Sequence, residues 1–558
     1  MQERTPPSVG GSPGKPSELY RRLTIGLPVI LLVLFGGFVL LISAAEEPYH
    51  IDELRQVRSY DRNLAGVIQA SVQQEQPPLD AVLNSFAQDL LGIGDVRQRL
   101  LSVGFGVGSL ALVAVLTLRS GFLALGSVST LGVMSLTPAL ISVTAYARPY
   151  ALPVFLMMAF LALAHIWLDR GRPWALILAF LVAGLLPWSR TVEPVIFLVC
   201  SAMIMSILAL ARQRRRPAIW MLVASCFGLV SSIPAIGLLL DQLGDRTASD
   251  GSLPERLARL GSDIPTAIGT AFPYWPFLVL IVLLAVVRPA ARRLLARLWW
   301  WWVLVGTAIG FVLAFVAIAP VTQGFFGRYL FTWVIPFSIL VGAVVSSATE
   351  VSRRLVVPAG VTFGAVGLLI AWAGYLTWHD LSTKSTSDWK AVSAVITEDL
   401  PADTAVLYDQ LRRLGAYRTP YAGYPRYTKG QPRIPLSLNV IRDPSTFSPG
   451  SNTAVILLTG GTRFDVPGWI GIGIDRYFTV YLPSSPRPGL AGAAGAAEEF
   501  AEALGPDLGA AMQLTAASLW SKSGDSERAD ILVEELLAQD DLRDTVLATI
   551  EGTELQDS

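Results

Sequence analysis

The sequence predicts a polytopic α-helical membrane protein followed by a small α/β domain, and three observations carry that prediction. Hydrophobic residues make up 52% of the 558 residues and charged residues 15%, with a mean hydropathy of +0.51. That balance lies outside the soluble globular range. Apolar runs of about 20 residues, the length that crosses a hydrocarbon core, recur through roughly the first two-thirds of the chain. Between them, basic clusters fall at alternate connections, as they do when one side of a membrane retains the positive charge.

The opening stretch, Met1 to Pro16, is rich in Pro, Gly and Ser and reads as part of a disordered cytoplasmic tail covering 1–22. The first apolar run, Leu23 to Ile42, follows Lys15, Arg21 and Arg22 and ends in Ser43-Ala44-Ala45, a pattern similar to a signal-peptidase site. It is longer than the roughly 7 to 15 residues of a signal-peptide core, so an uncleaved anchor is expected. Candidate spans then follow at 99–118, 121–141, 149–168, 173–188, 191–211, 217–240, 272–287, 299–319, 328–347 and 355–377, for a total of about eleven. With the first span running outward, Arg119, Asp169-Arg170-Gly171-Arg172, Arg212 to Arg216, Arg288 to Arg297, and Arg353 with Arg354 all fall on the cytoplasmic side. The transmembrane domain is thus expected over 23–378.

The first outer loop, 46–98, is longer than most connections and is patterned rather than featureless. Leu54, Val57, Leu64 and Val67 fall at loosely helical spacing, and Pro77-Pro78-Leu79 opens a second helix with Val82, Leu83, Phe86 and Leu90 on one side. Two amphipathic helices lying on the membrane surface are expected there. A second outer loop, Asp241 to Thr270, contains Leu253-Pro254-Glu255-Arg256-Leu257, which reads as a short interfacial helix. After Trp378 the composition changes. A helix from Asp388 to Leu400 and strands at Thr404 to Tyr408 and Thr453 to Thr459 predict an extracytoplasmic α/β domain over 379–484. A linker, Ser485 to Ala497, then leads into an acidic helical tail within 485–558, with helices at Leu508 to Trp520 and Ser526 to Leu537.

The formal net charge is +0, so bulk charge says nothing about a nucleic-acid partner and the placement of the charges matters instead; no nucleic-acid partner is expected. Cys200 and Cys226 lie in apolar runs and form neither a disulfide framework nor a metal-ligand pattern. Ionisable groups at span ends are costly unless paired or wetted, which makes them the natural places to look for chemistry. On the outer side these are Arg148 in Tyr146-Ala147-Arg148-Pro149-Tyr150, Arg190 and Glu193 around the start of a span, and Arg328 beside Tyr329. The same side carries the acidic stretch Glu46-Glu47-Pro48-Tyr49-His50-Ile51-Asp52-Glu53. Each arginine has a plain alternative as a headgroup-snorkelling side chain, Arg190 and Glu193 can neutralise one another, and the carboxylates suit a helix N-terminus. Several guanidiniums at one level, facing carboxylates, instead form a pocket suited to a lipid-linked phosphate, which the guanidinium fork grips while staying charged. No metal site follows from the spacing, and a carboxylate-bound divalent cation stays open.

Taken in order, an outward first span, the Asp52-Glu53 pair, Pro77-Pro78-Leu79, the Gly94-Asp95-Val96-Arg97-Gln98-Arg99-Leu100 lead into the second span, and Ala147-Arg148-Pro149-Tyr150 resemble the GT-C glycosyltransferases. The likeness is to their family 39 and aminoarabinose-transferase-like group and covers most of Leu23 to Trp378. It implies a polyprenyl-phosphate-linked sugar donor reached from the outer leaflet of the plasma membrane, and an acceptor that is an envelope glycan, lipid or protein. It also implies that Asp52 is the catalytic carboxylate, with Glu53 beside it. Arg148, Arg328 and Arg190 would then bind the donor phosphate, and Glu47, His50, Gln76, Tyr150, Glu193 and Tyr329 would line the pocket. The chain departs from the pattern at Gln76, where relatives often carry a basic residue or histidine, and in lacking a clear second aspartate after Ala147-Arg148. In the implied reaction Asp52 takes the acceptor proton and the phosphate leaves without a general acid, giving inversion; a covalent sugar held between two carboxylates would give retention. The rival expectation is a transporter or flippase of a lipid-linked sugar, but that function favours charges through the bilayer depth and inverted repeats, and no repeat is evident.

Overall fold

The computed structural model describes residues 18–46, 63–73, 76–92, 95–211, 215–246, 253–318, 327–354, 372, 374–375, 405–408, 454–459, 469–473, 478–483, 489–504, 513, 516–517, 519–521 and 523–538. The tail 1–17, the acidic stretch 47–62, almost all of the expected last span 355–377 and the expected helix from Asp388 to Leu400 lie outside them. The chain forms two compact units, one of 1–44, 64–83 and 100–381, the other of 45–63, 84–99 and 382–558.

The first unit is helical. In chain order it is built from α1 (Glu18–Glu46), α2 (Leu64–Gln73), the start of α3 (Leu79–Leu91), most of α4 (Asp95–Arg119), α5 (Ala124–Ser135), α6 (Pro138–Thr144), α7 (Ala151–Arg170), α8 (Pro173–Ser189), α9 (Val192–Leu210), α10 (Arg215–Ser231), α11 (Ile233–Arg246), α12 (Leu253–Ala271), α13 (Trp275–Val287), α14 (Pro289–Arg297), α15 (Trp299–Ile318), a 3-10 turn (Gly327–Leu330) and α16 (Phe331–Arg354). Among the described residues six helices are long and apolar enough to cross a membrane, or up to nine if each of three bent pairs is one span. The protein is therefore a multi-pass membrane protein. Exposed apolar side chains cover the lipid-facing sides, among them Leu34 and Phe38 of α1, Ile177 and Leu181 of α8, and Met203 and Ile207 of α9.

The joints follow local chemistry. Gly171 adopts φ +61 after α7, its N–H donates to Trp167 O, and Pro173 sits in the first turn of α8. A left-handed glycine followed by a proline both stops one helix and starts the next. The spans expected at 121–141 and 217–240 are each broken. Helices α5 and α6 bend by 63° just before Pro138, and α10 and α11 by 40° just before Pro234. Proline removes a backbone donor and disfavours helix in the residue before it, which is why neither apolar run continues as one straight helix. The expected span 272–287 shortens to α13, and the short interfacial helix expected near Leu253 extends as far as Ala271, the two meeting at 95°. Leu260, Ile264 and Ile268 continue the apolar stripe of α12 into the core, which is why it does not stop after Leu257. Close packing of α5 on α16 rests on small residues. Gly126 lies against Ser346 and Gly342, Gly342 lies against Thr130, and Leu123 N–H donates to Ser346 Oγ at 3.2 Å.

Helix α3 presents Phe86 and Leu90 outward and buries Asp80, Asn84 and Gln88, four residues apart, on its opposite face. In the second unit Gln98 Nε2 donates to Gln88 Oε1 at 3.0 Å, and Arg99 is fully buried at the start of α4.

The second unit also contains strands β1 (Ala405–Tyr408), β2 (Ala454–Thr459), β3 (Trp469–Gly473) and β4 (Phe478–Pro483), ordered β1-β2-β4-β3. The β1 and β2 strands pair in parallel with Ala405 opposite Ala454, and the other two pairings are antiparallel. Helix α17 (Gly489–Leu504) occupies much of the expected linker. Ala491, Ala493, Ala494, Ala496 and Ala497 make that stretch strongly helix-forming, and Phe500 packs edge-on to buried Tyr481 of β4 at 4.9 Å. Helix α18 (Ser526–Leu537) starts at Asp525, whose carboxylate accepts from Arg528 N–H, and Arg528 Nε and Trp520 Nε1 both donate to Glu498 of α17.

Candidate functional site

Two connections at one end of the helical unit build the site. The first is the turn between α6 and α7. Arg148 N–H donates to Tyr146 O at 2.9 Å and Tyr150 N–H to Arg148 O at 2.7 Å. These two bonds, each spanning only two residues around Pro149, compact the turn and project Arg148 and Tyr150 just ahead of α7. The second joins α8 to α9. Pro187 and Ser189 close α8, Arg190 is extended (φ −169, ψ 157), and Glu193 occupies the first turn of α9, where the helix dipole favours a carboxylate.

The two connections meet on the Tyr150 ring. Arg190 Cζ lies 4.0 Å from its centroid and Arg148 Cζ 5.5 Å, so one aromatic face system serves two cations. Arg190 Nε pairs with Glu193 Oε2 at 3.2 Å; Arg190 keeps 22% of its side-chain surface and Glu193 none. Phe331, first residue of α16, meets Tyr150 edge-on at 5.8 Å. Phe311 links Phe331 to Tyr329, and Phe315 lies 5.3 Å from Tyr329. An aromatic chain thus ties the 3-10 turn, which carries Arg328 and Tyr329, to the paired arginine turns.

The opposite end of the unit is fixed by Trp300 Nε1 donating to Ser120 Oγ at 3.1 Å and Trp167 Nε1 to Pro217 O at 3.0 Å. There α4 ends at Arg119, α7 ends at Arg170, α10 begins at Arg215 and α14 ends at Arg297. The site and the basic clusters therefore occupy opposite ends.

Of the residues expected at the site, Arg148, Tyr150, Arg190 and Glu193 come together and Tyr329 joins them through ring contacts. Arg328 has its backbone in the adjoining 3-10 turn, while its side chain lies outside the description. Gln76 is half-buried, and its N–H donates to Ser71 O at 2.9 Å, closing the connection between α2 and α3. Asp52, Glu53, Glu47 and His50 lie outside the described residues. Among the described residues no group of three or more His, Cys, Asp or Glu side chains could hold a metal ion. Sequence reasoning missed the buried polar side chains of α3 and Arg99. For the α3 side chains the four-residue spacing of Asp80, Asn84 and Gln88 is the sequence signal, since it puts three polar groups on one helix face.

No protein-family model matches the sequence, and no curated protein matches it. Among solved structures the chain is similar to ArnT from Cupriavidus metallidurans bound to undecaprenyl phosphate, at 12% identity and a TM-score of 0.45. It is also similar to ArnT from the same organism in the apo state, at 11% identity and a TM-score of 0.47; in both cases the match covers 81% of this chain and 97% of the other.

Proposed function

We propose that the protein is an inverting GT-C-type glycosyltransferase of the plasma membrane, which moves a sugar from a polyprenyl-phosphate-linked donor to an envelope glycan, lipid or protein. One observation carries the reading: Arg148 and Arg190 converge on Tyr150 at the end of the helices away from the basic clusters. With the positive clusters inside, that end faces outward. In this reading the chain spans the membrane about eleven times, which leaves the N-terminus cytoplasmic and the sheet-containing region outside.

The chemistry follows from the leaving group. Asp52 takes the proton of the acceptor hydroxyl as its oxygen attacks the anomeric carbon, and the bond from that carbon to the phosphate oxygen breaks. The electron pair departs with the phosphate, whose charge the guanidiniums of Arg148, Arg190 and Arg328 stabilise. Glu193 keeps Arg190 over the Tyr150 ring, and Glu53, Glu47, His50, Gln76 and Tyr329 complete the pocket. One displacement inverts the anomeric centre.

Incubation of the purified protein with radiolabelled polyprenyl-phosphate sugars and envelope acceptors tests the proposal. Wild-type protein is expected to transfer label, and Asp52→Asn to fold, bind donor and transfer none. Turnover retained by Asp52→Asn removes the catalytic assignment. Label that crosses a vesicle bilayer without reaching any acceptor favours a flippase.

A further inference from the structure

Two of the three bent helix pairs are broken at buried positions that touch each other. The α5 and α6 helices part at Leu136 and Thr137, and α12 and α13 part over 272–274. Across those breaks the hydroxyls of Thr137 and Tyr274 are hydrogen-bonded, and both residues are buried. The direction of the bond follows from a second one. Thr137 Oγ1 donates its only proton to Val133 O at 2.6 Å, so Tyr274 O–H is the donor and Thr137 the acceptor. Phe272 packs against Tyr274 at 6.3 Å and against Phe337 of α16 at 5.5 Å, which encloses the pair in apolar side chains.

The arms leaving these breaks reach the candidate site. Helix α6 runs from Thr137 toward the turn that carries Arg148 and Tyr150. Helices α6 and α12 pack on one another and each packs on the 3-10 turn of Arg328 and Tyr329. Arg256 of α12 also donates from Nη1 to Ala317 O at 2.8 Å, holding that arm to the end of α15. Each break thus lies one helix away from the groups around Tyr150.

We propose that Thr137 and Tyr274 form a positioning pin, a single buried hydrogen bond between two broken helices that sets the placement of the Arg148 turn and the 3-10 turn for binding an anionic phosphate. The pin rests on the reading of the Tyr150 cluster as a phosphate site. Thr137 and Tyr274 act through other residues and touch no substrate.

The test uses the full chain in detergent with a polyprenyl monophosphate as the probe. Thr137→Val and Tyr274→Phe each keep the shape and remove one hydroxyl. Each is expected to weaken probe binding about tenfold, and the double variant about as much as either alone, because the same bond is lost in all three. Thr137→Ser retains the acceptor and is expected to bind within about twofold of wild type. Unchanged affinity in the single variants, even with a lowered melting temperature, overturns the pin and leaves the phosphate site standing. Losses that multiply in the double variant do the same, as does a Thr137→Ser variant as weak as Thr137→Val. If Tyr274→Phe does not fold, the Thr137→Val and Thr137→Ser pair carries the comparison. Failure of the wild-type protein to bind the probe overturns the phosphate-site reading, and the pin falls with it.

Discussion

The Glu193 carboxylate is fully buried, and its charge is met by Arg190 at 3.2 Å. Such a pair seldom adds net stability, because taking both charges out of water costs about as much as their attraction returns, yet removing one partner leaves the other uncompensated. Glu193→Ala is accordingly expected to lower unfolding stability by about 3 kcal/mol. Glu193→Leu combined with Arg190→Met is expected to recover most of that loss, as measured by thermal unfolding in detergent. A double variant as unstable as the single one would show that the packing of Glu193 matters more than its charge. These residues were legible in the sequence because a charge at a span boundary is conspicuous against an apolar background. The Tyr150 ring between the two guanidiniums was legible only as a neighbour of Arg148. Its second partner, Arg190, comes from a different connection, and local spacing does not encode a meeting of two turns.

Helices in this chain are set as much by small residues and prolines as by apolar length. Pro138, Pro234 and Pro273 each lie at a bend, so the break positions were readable, but a hydropathy window averages across them. The close approach of α5 and α16 was less readable, because a glycine in an apolar run signals contact only when its partner is known. A Cβ added at Gly342 would collide with Thr130 Oγ1 and lie 2.6 Å from the backbone oxygen of Gly126. Backbone cannot move aside cheaply, so Gly342→Ala is expected to cost about 2 kcal/mol through separation of the two helices. At Gly104 of α4 nothing lies within 4 Å of such a Cβ. Gly104→Ala is expected to be neutral or to stabilise by up to about 1 kcal/mol through helix propensity. Melting temperatures of the two variants measured side by side check the contrast; equal effects would refute the close-packing account.

At the scale of the molecule, segregated charge decides which way the chain lies in the membrane. The basic helix ends and the Tyr150 cluster occupy opposite ends of the helical unit, and the proposed orientation, with the basic ends in the cytoplasm, follows from the general retention of positive charge on that side. The alternation of basic clusters was plain in the sequence, because each cluster sits in a short connection between apolar runs. The reach of α12 was not, because an amphipathic stretch takes its final length from what it packs against, and in the expected linker the helix-forming alanines are interspersed with Gly489, Gly492 and Gly495 after Pro486 and Pro488, which read as a loop. The orientation makes a separable prediction. With Cys200 and Cys226 replaced by Ala, Arg172→Cys places a thiol in the exposed connection between α7 and α8, and Gly261→Cys places one on the exposed face of α12. Gly261 has open space around the added side chain, and α12 packs on the 3-10 turn at the site end. A membrane-impermeant maleimide is expected to label Gly261→Cys in intact cells, and Arg172→Cys only after permeabilisation. The reverse pattern would put the Tyr150 cluster in the cytoplasm, where a donor presented in the outer leaflet could not reach it.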